Sequence, residues 1–328
     1  MFKRFSTALV LGCAMFALTQ PAQAQSFPTR PITIIVPFAA GGPTDIVARV
    51  IAVELSTSLG QQAVVENVVG AAGTVGMVRA ARVAPDGHTL LLAGMSTMSF
   101  SPTIYPNLPV HSVNNLDPVG IVASAPIVLV VSKDLPVNDV KEFAAHAKAQ
   151  GDKLVNGHAG VGSSSHLACA LLNARLGIKP NVVPYKGTAP AMNDMIAGQV
   201  HYLCDQTTSV MAQVRAGGAR ALAVMADQRS DALPGIPTIS EAGFAGAEMV
   251  LWNALFAPKG TPKAVIKQIN AAISKGVDAP AAKKRFGDLG AAAPTAAQRS
   301  PEALRKILAD DIEKWGKVIR EAGIKPVN

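Results

Sequence analysis

Two short segments hold the residues best suited to chemistry: PFAAGGPTD (residues 37–45) and GHAGVGSSSH (residues 157–166). In each, small residues join a β-rich apolar run to a helical one. The first amides of a helix have no acceptor within it, and its dipole places about half a positive charge there, so such a loop binds anions. Gly41 and Gly42 let a ligand approach the backbone closely. Ser163, Ser164 and Ser165 can each donate to a carboxylate oxygen or cap the helix. Capping accounts for one serine readily and for three less so. An ordinary strand-to-helix connection also favours glycine, so neither loop is decisive alone. Ligands of open α/β sheets bind at the carboxyl ends of the strands, and there the two loops would face each other.

An acid sits oddly beside an anion site, and Asp45 is one. With Pro43 as the first helical residue, Asp45 falls two positions later, where a carboxylate can reach back to the N-cap amide and complement the dipole. That predicts a loop-fixing role. The alternative is contact with an ammonium or hydroxyl on the ligand.

Sharper chemistries fail on spacing. Gly157, Gly160 and Gly162 give G-x-x-G-x-G, not the dinucleotide fingerprint, and no G-K-[ST] phosphate loop occurs. GVGSSS is not the G-x-S-x-G nucleophile elbow, and His166 lies too close in the chain to the three serines to serve as their base. The six histidines lack H-x-x-x-H spacing, so neither a metal nor a cofactor is expected. Nothing assembles a nucleophile, a base and an oxyanion hole, which predicts a binding protein rather than an enzyme.

The elements that must position these loops alternate. Residues 31–38 read as a strand, 44–59 as a helix with Ile46, Val50 and Val53 on one stripe, 62–66 as a strand, 75–83 as a helix and 89–93 as a strand. The pattern restarts with a strand at 127–131, a helix at 137–149, a strand at 153–156 and a helix at 166–176. Val182 and Val183, a helix at 190–197, and strands at 201–204 and 219–225 follow. A last apolar run, 248–257, leads to two helices announced by Thr261-Pro262 and Ser300-Pro301 as N-cap and first residue. Leu304, Ile307, Leu308, Ile312, Trp315 and Ile319 form the buried stripe of the final helix. No repeat or low-complexity linker divides the chain, so two α/β units joined by crossing strands are expected.

Residues 1–24 read as an export signal: Lys3 and Arg4, then a short apolar stretch, then Ala22-Gln23-Ala24. Cleavage leaves Gln25 first and places the protein in the periplasm, with Cys13 removed. At 49% hydrophobic and 16% charged, the chain can bury large cores. Its +8 formal charge is scattered and aromatics are only 5%, which excludes a nucleic-acid partner. Two cysteines remain, Cys169 and Cys204. An oxidising compartment permits pairing, but burial tendency favours two independent thiols.

The motifs PFAAGGPTDIVAR (37–49), VVENVVGAAGTVG (64–76), APDGHTLLLA (84–93), PYKGTAPAMNDMIAGQV (184–200), ALAVMADQRSDALPGIPTISEAG (221–243) and APKGTP (257–262) resemble those of the Bug solute receptors of tripartite tricarboxylate transporters. They cover nearly the whole mature chain. The resemblance implies a type II periplasmic-binding-protein fold, with residues 25–125 and 249–328 in one lobe and 126–248 in the other. It implies capture of a small organic carboxylate, a dicarboxylate or an aromatic acid, by a monomer that serves membrane transporter subunits. The alternative is presentation of the closed form to a membrane sensor kinase. In such receptors the first loop, here Phe38, Ala39, Ala40, Gly41, Gly42 and Asp45, grips the carboxylate together with the second, here Gly160, Ser163, Ser164, Ser165 and His166. Ser96, Thr97 and Asp205 match segments that shape the rest of the pocket. The chain departs from the family in VVG at 68–70, PDGHT at 85–89 and Cys169 in place of a small residue. Met95, Met98 and Met211 would make the pocket more apolar if they reached it.

Overall fold

In the computed structural model, which describes residues 27–327, the run ITIIV forms strand β1 (Ile32–Val36), with four of its five side chains buried. The expected signal peptide lies outside the described residues. β1 pairs in parallel with β2 (Ala63–Asn67) and β3 (Thr89–Gly94). Helix α1 (Pro43–Leu59) connects the first two strands, starting with Pro43 and ending at Gly60 in the left-handed region (φ 70°). Its buried face is Val47, Ile51 and Leu55, whereas Val53 is 62% exposed. Of the expected Ile46, Val50, Val53 stripe, Ile46 and Val50 are thus half-buried at its margin and Val53 turns outward. Both sets satisfy helical spacing, and packing under the sheet selects between them. Helix α2 (Thr74–Ala81) precedes β3, and a π-helical turn (Ser96–Phe100) and short α3 (Ser101–Ile104) follow it.

Strand β4 (Leu116–Ser132) begins well before the predicted 127–131 run. Pro118, Gly120 and Pro126 make its first part read as broken, yet the register shifts near Pro118 and Ile121 absorb them as irregularities. Gly120 fits because an added Cβ would lie 2.8 Å from Arg299 O and from Asn270 Nδ2. Through Pro126, β4 pairs antiparallel with β9 (Val250–Pro258), which also pairs with β3. From Ile127 onward its partners are β7 (Tyr202–Gln206) and β8 (Ala219–Met225). One strand thus belongs to two sheet halves. The second half adds β5 (Val155–His158) and β6 (Asn181–Pro184), giving the order β2-β1-β3-β9-β4-β7-β5-β6, with β8 on β4.

Its helices are α4 (Val140–Gln150), α5 (Ser164–Leu176), α6 (Thr188–Ile196) and α7 (Thr207–Arg215), the last without a counterpart in the predicted series. Three C-terminal helices follow rather than two: α8 (Lys263–Asp278), α9 (Pro280–Asp288) and α10 (Pro301–Glu321). Ser300 caps α10 by accepting from the Ala303 N–H, as expected. Thr261 does not cap α8: Pro262 holds that position, and the Thr261 hydroxyl donates to Pro258 O.

One apolar core lies under β1 and α1, a second under β7, α6 and α7, and a third runs across both halves from Leu91 and Phe100 to Leu129 and Phe143. Cys169 on α5 and Cys204 on β7 form a disulfide with Cα atoms 5.4 Å apart, so the expectation of independent thiols fails. The reason is geometric: α5 packs directly on β7, bringing two distant positions within bridging range. No helix among the described residues is long and apolar enough to cross a membrane.

Candidate functional site

Two sets of strands, parallel β1 and β3 in one half and parallel β5, β6 and β7 in the other, end at one cleft, and four helices, α1, α5, α6 and α7, start there. The cleft contains about 390 Å³ unfilled by protein atoms, its open mouth included. It is lined by Phe38, Pro43 and Thr44; Gly94, Met95 and Ser96; Ala159, Ser163 and Ser164; Thr188, Asp205 and Gln206; and Leu251. Each group sits where a strand yields to a helix or turn, apart from Leu251 on β9. First-turn amides of the four helices have no acceptor within their own helix. The lining contains no lysine, arginine or histidine. An anion here meets hydroxyls, amides and helix dipoles instead of a cationic side chain.

The first loop is fixed from behind. Asp45 accepts hydrogen bonds from the Gly41 N–H (2.9 Å), Arg49 Nε (2.8 Å) and Nη2 (3.0 Å), and Asn67 Nδ2 (3.0 Å). Asn67 also donates to Phe38 O. Burial alone would raise the Asp45 carboxyl, but Arg49, the Gly41 amide and Asn67 together hold it below its ordinary value. The loop-fixing role has this geometry, except that the bonded amide is Gly41, one residue before the N-cap. Asp45 does not line the cleft. Gly41 adopts φ 80°, which favours glycine. A Cβ on Gly42 would lie 3.3 Å from Ala39 O and 3.8 Å from Thr188 Oγ1, and Ala39 N–H donates across the seam to Lys186 O (3.3 Å). Ala40 and Gly41 line a neighbouring cavity rather than the cleft.

The second loop uses its serines unequally. Ser163 Oγ caps α5 by accepting from the His166 N–H and lies 3.1 Å from Ser165 Oγ, which accepts from the Ala159 N–H. Ser163 and Ser165 thus hold the loop together. Ser164 makes none of these bonds and faces the cleft together with Ser163. His166 stays out of the lining. Its Nδ1 accepts from the Gly162 N–H, and its ring stacks on His158 at 4.5 Å. Burial, reinforced by His166, pushes the His158 imidazole down to about 4. Gly160 turns the chain at φ 105°, and its amide donates to His158 Nδ1.

At the remaining walls, Ser96 and Asp205 line the cleft, while Thr97 is buried and donates to Ala72 O. Met95 reaches the lining, but Met98 and Met211 belong to the cores. Thr188 and Gln206 were missed. The signal for both was present, since each sits at a strand-to-helix junction like the two glycine- and serine-rich loops. Among the described residues three side-chain bonds connect the halves: Tyr105 OH to Val161 O (2.7 Å), Thr207 Oγ1 to Gly290 O (2.8 Å) and Asn253 Nδ2 to Gln206 Oε1 (3.2 Å). No cluster of three or more metal-ligating side chains occurs among the described residues.

Two α/β halves sharing β4, with a cleft at their strand ends, define the type II periplasmic-binding-protein fold. The structure resembles the periplasmic binding protein BugD (38% identity, TM-score 0.89, 92% of this chain and 100% of that one). It also resembles MatC from Rhodopseudomonas palustris with bound malate (39% identity, TM-score 0.86, 89% and 100%). Protein BugT of Bordetella pertussis is 36% identical over 323 residues, 98% of each chain. The profile of the tripartite tricarboxylate transporter family receptor matches residues 47–324. The chain belongs to that family, the Bug-type solute-binding receptors.

Proposed function

We propose that the protein captures a small organic carboxylate in the periplasm, as a monomer, and delivers it unchanged to the membrane subunits of a tripartite transporter. The observation that carries this reading is the convergence of four helix N-termini on a cleft with no cationic side chain. Such a site favours a negative group small enough to be reached by main-chain amides and hydroxyls. The malate held by MatC agrees with a carboxylate ligand. In this reading residues 25–125 with 249–328 form one lobe and 126–248 the other. The amides around Phe38, Gly42 and Thr44 grip from the first lobe. Ser163, Ser164 and the start of α5 grip from the second, with Ser96, Thr188 and Asp205 at the far end.

The test is isothermal calorimetry with a panel of mono- and dicarboxylates against the methyl esters of the same compounds. Carboxylates should bind and esters should not. The double change Ser163→Ala, Ser164→Ala should weaken binding by about tenfold or more, the size of one or two lost charge-assisted hydrogen bonds, and Gly42→Val should weaken it about as much by crowding Ala39 O and restricting the loop. Esters binding as well as acids, or wild-type affinity in both variants, would reject this site. Ligand should be recovered intact after prolonged incubation.

A further inference from the structure

The cleft's single charged side chain has the wrong sign for its task. Asp205, the fourth residue of β7, is 1% exposed and lines the cleft. Its Oδ2 accepts from Ser209 Oγ at 2.5 Å, and no lysine, arginine or histidine lies within ion-pair range among the described residues. Beside it, the Thr188 hydroxyl is close enough to favour the charged form, yet no partner meets hydrogen-bond geometry at Oγ1. Thr188 and Asp205 also form a wall of a second cavity, whose other polar side chains are Asn193, Ser209 and Gln213. Neither cavity is lined by a second ionisable group. Of the charges on adjacent helices, Asp194 on α6 accepts from the Tyr185 hydroxyl and Arg215 lies at the far end of α7.

A ligand whose carboxylate rests on the starts of α1 and α5 presents its other end to this acid. A second carboxylate there would face Asp205 with no cation to offset either charge, and two buried carboxylates so placed must share a proton. A hydroxyl or ammonium would instead donate to Asp205, a charge-assisted hydrogen bond. Resting on the carboxylate reading above, we infer that Asp205 sets specificity by requiring a hydrogen-bond donor at the ligand's far end. The receptor is then one for hydroxy- or amino-carboxylates, and it takes a dicarboxylate only together with a proton. Burial pushes the Asp205 carboxyl up to about 6, against the Ser209 hydrogen bond and the nearby Thr188 hydroxyl and Gln206 amide, so that proton is available under mildly acidic conditions.

Calorimetry on the full mature protein tests this with two matched sets: 4-hydroxybutanoate, 4-aminobutanoate and succinate, and 6-hydroxyhexanoate, 6-aminohexanoate and adipate. Each is measured at about pH 8 and about pH 5.5, in buffers of different ionisation enthalpy, on wild type and Asp205→Asn. At the higher pH a donor-ended ligand should bind about tenfold or more tighter than the diacid of equal length, the effect of roughly one pK unit or more of charge repulsion. The diacid should gain affinity at the lower pH with uptake of about one proton. Asp205→Asn should abolish both the preference and the uptake. A diacid binding as tightly as its donor-ended partner at the higher pH, without proton uptake, would overturn the inference, and the wild type alone decides that point. Failure of every carboxylate to bind would defeat the carboxylate reading itself and this inference with it.

Discussion

Asp45 on α1 and Asp205 on β7 are two buried acids, and their surroundings give them opposite behaviour. Asp45 has four donors aimed at it. Its folded pKa lies below the ordinary carboxylate value, so its stabilisation is present above that value and is lost as pH falls through the folded one. Asp45→Asn should destabilise by about 1–3 kcal/mol, more than a dipole effect alone, because Arg49 and the Gly41 amide lose a charged acceptor. Chemical denaturation checks the size, and an unchanged midpoint would show that the clamp is energetically idle. Asp205 runs the other way. Its pKa rises from the ordinary value to about 6 in the folded state, so apo stability falls as pH climbs from about 4 to about 6 and levels off above. Over that window wild type should lose on the order of 2 kcal/mol relative to Asp205→Asn. Parallel melting curves for the two proteins across the window would contradict a buried, unpaired carboxyl.

At the level of elements, the disulfide joins α5, which starts at Ser164 behind its cap Ser163, to β7, in which Asp205 follows Cys204. It therefore ties two walls of the cleft together. Replacing both cysteines by serine should cost about 2–4 kcal/mol in an oxidised preparation, with little change in a protein already reduced and unfolded. Non-reducing peptide mapping should recover the linked pair, and free thiols at both positions would remove the tie. The expectation of separate thiols failed because burial tendency is a property of one residue, whereas pairing depends on how a helix packs on a strand. The α1 stripe failed for a related reason. Ile46, Val50 and Val53 repeat as a helix requires, but so do Val47, Ile51 and Leu55, and only the sheet distinguishes the two faces.

For the whole molecule, the two halves of the described residues meet across the cleft through bonds of modest number: Ala39 N–H to Lys186 O, Tyr105 OH to Val161 O, Thr207 Oγ1 to Gly290 O and Asn253 Nδ2 to Gln206 Oε1. A receptor that opens and closes should keep such contacts few, so that ligand tips the balance. Small-angle scattering should show compaction when a bound carboxylate is added. Tyr105→Phe removes one closing hydrogen bond without changing the cleft lining, which predicts a roughly 2–10-fold loss of affinity and a larger average radius at equal ligand, from about 0.5–1.5 kcal/mol. Equal affinity and equal radius in both proteins would mean that this bond does not bias closure.

What the sequence determined by itself was local. The alternation of strands and helices, the Ser300 cap, the strand at 219–225, and the two loops rich in glycine and serine all depend on residues within a few positions of one another. Their order as motifs also marked the family. Tertiary structure decided what depends on distant pairing: β4 serving both halves, Cys169 bonding Cys204, Thr97 and His166 turning from the cleft, and Thr188 and Gln206 joining it. The physical reason is that a cavity wall is assembled from chain segments far apart in sequence. No window of sequence contains both Phe38 and Asp205, and the charge balance between them exists only once the sheets have brought them to one cleft.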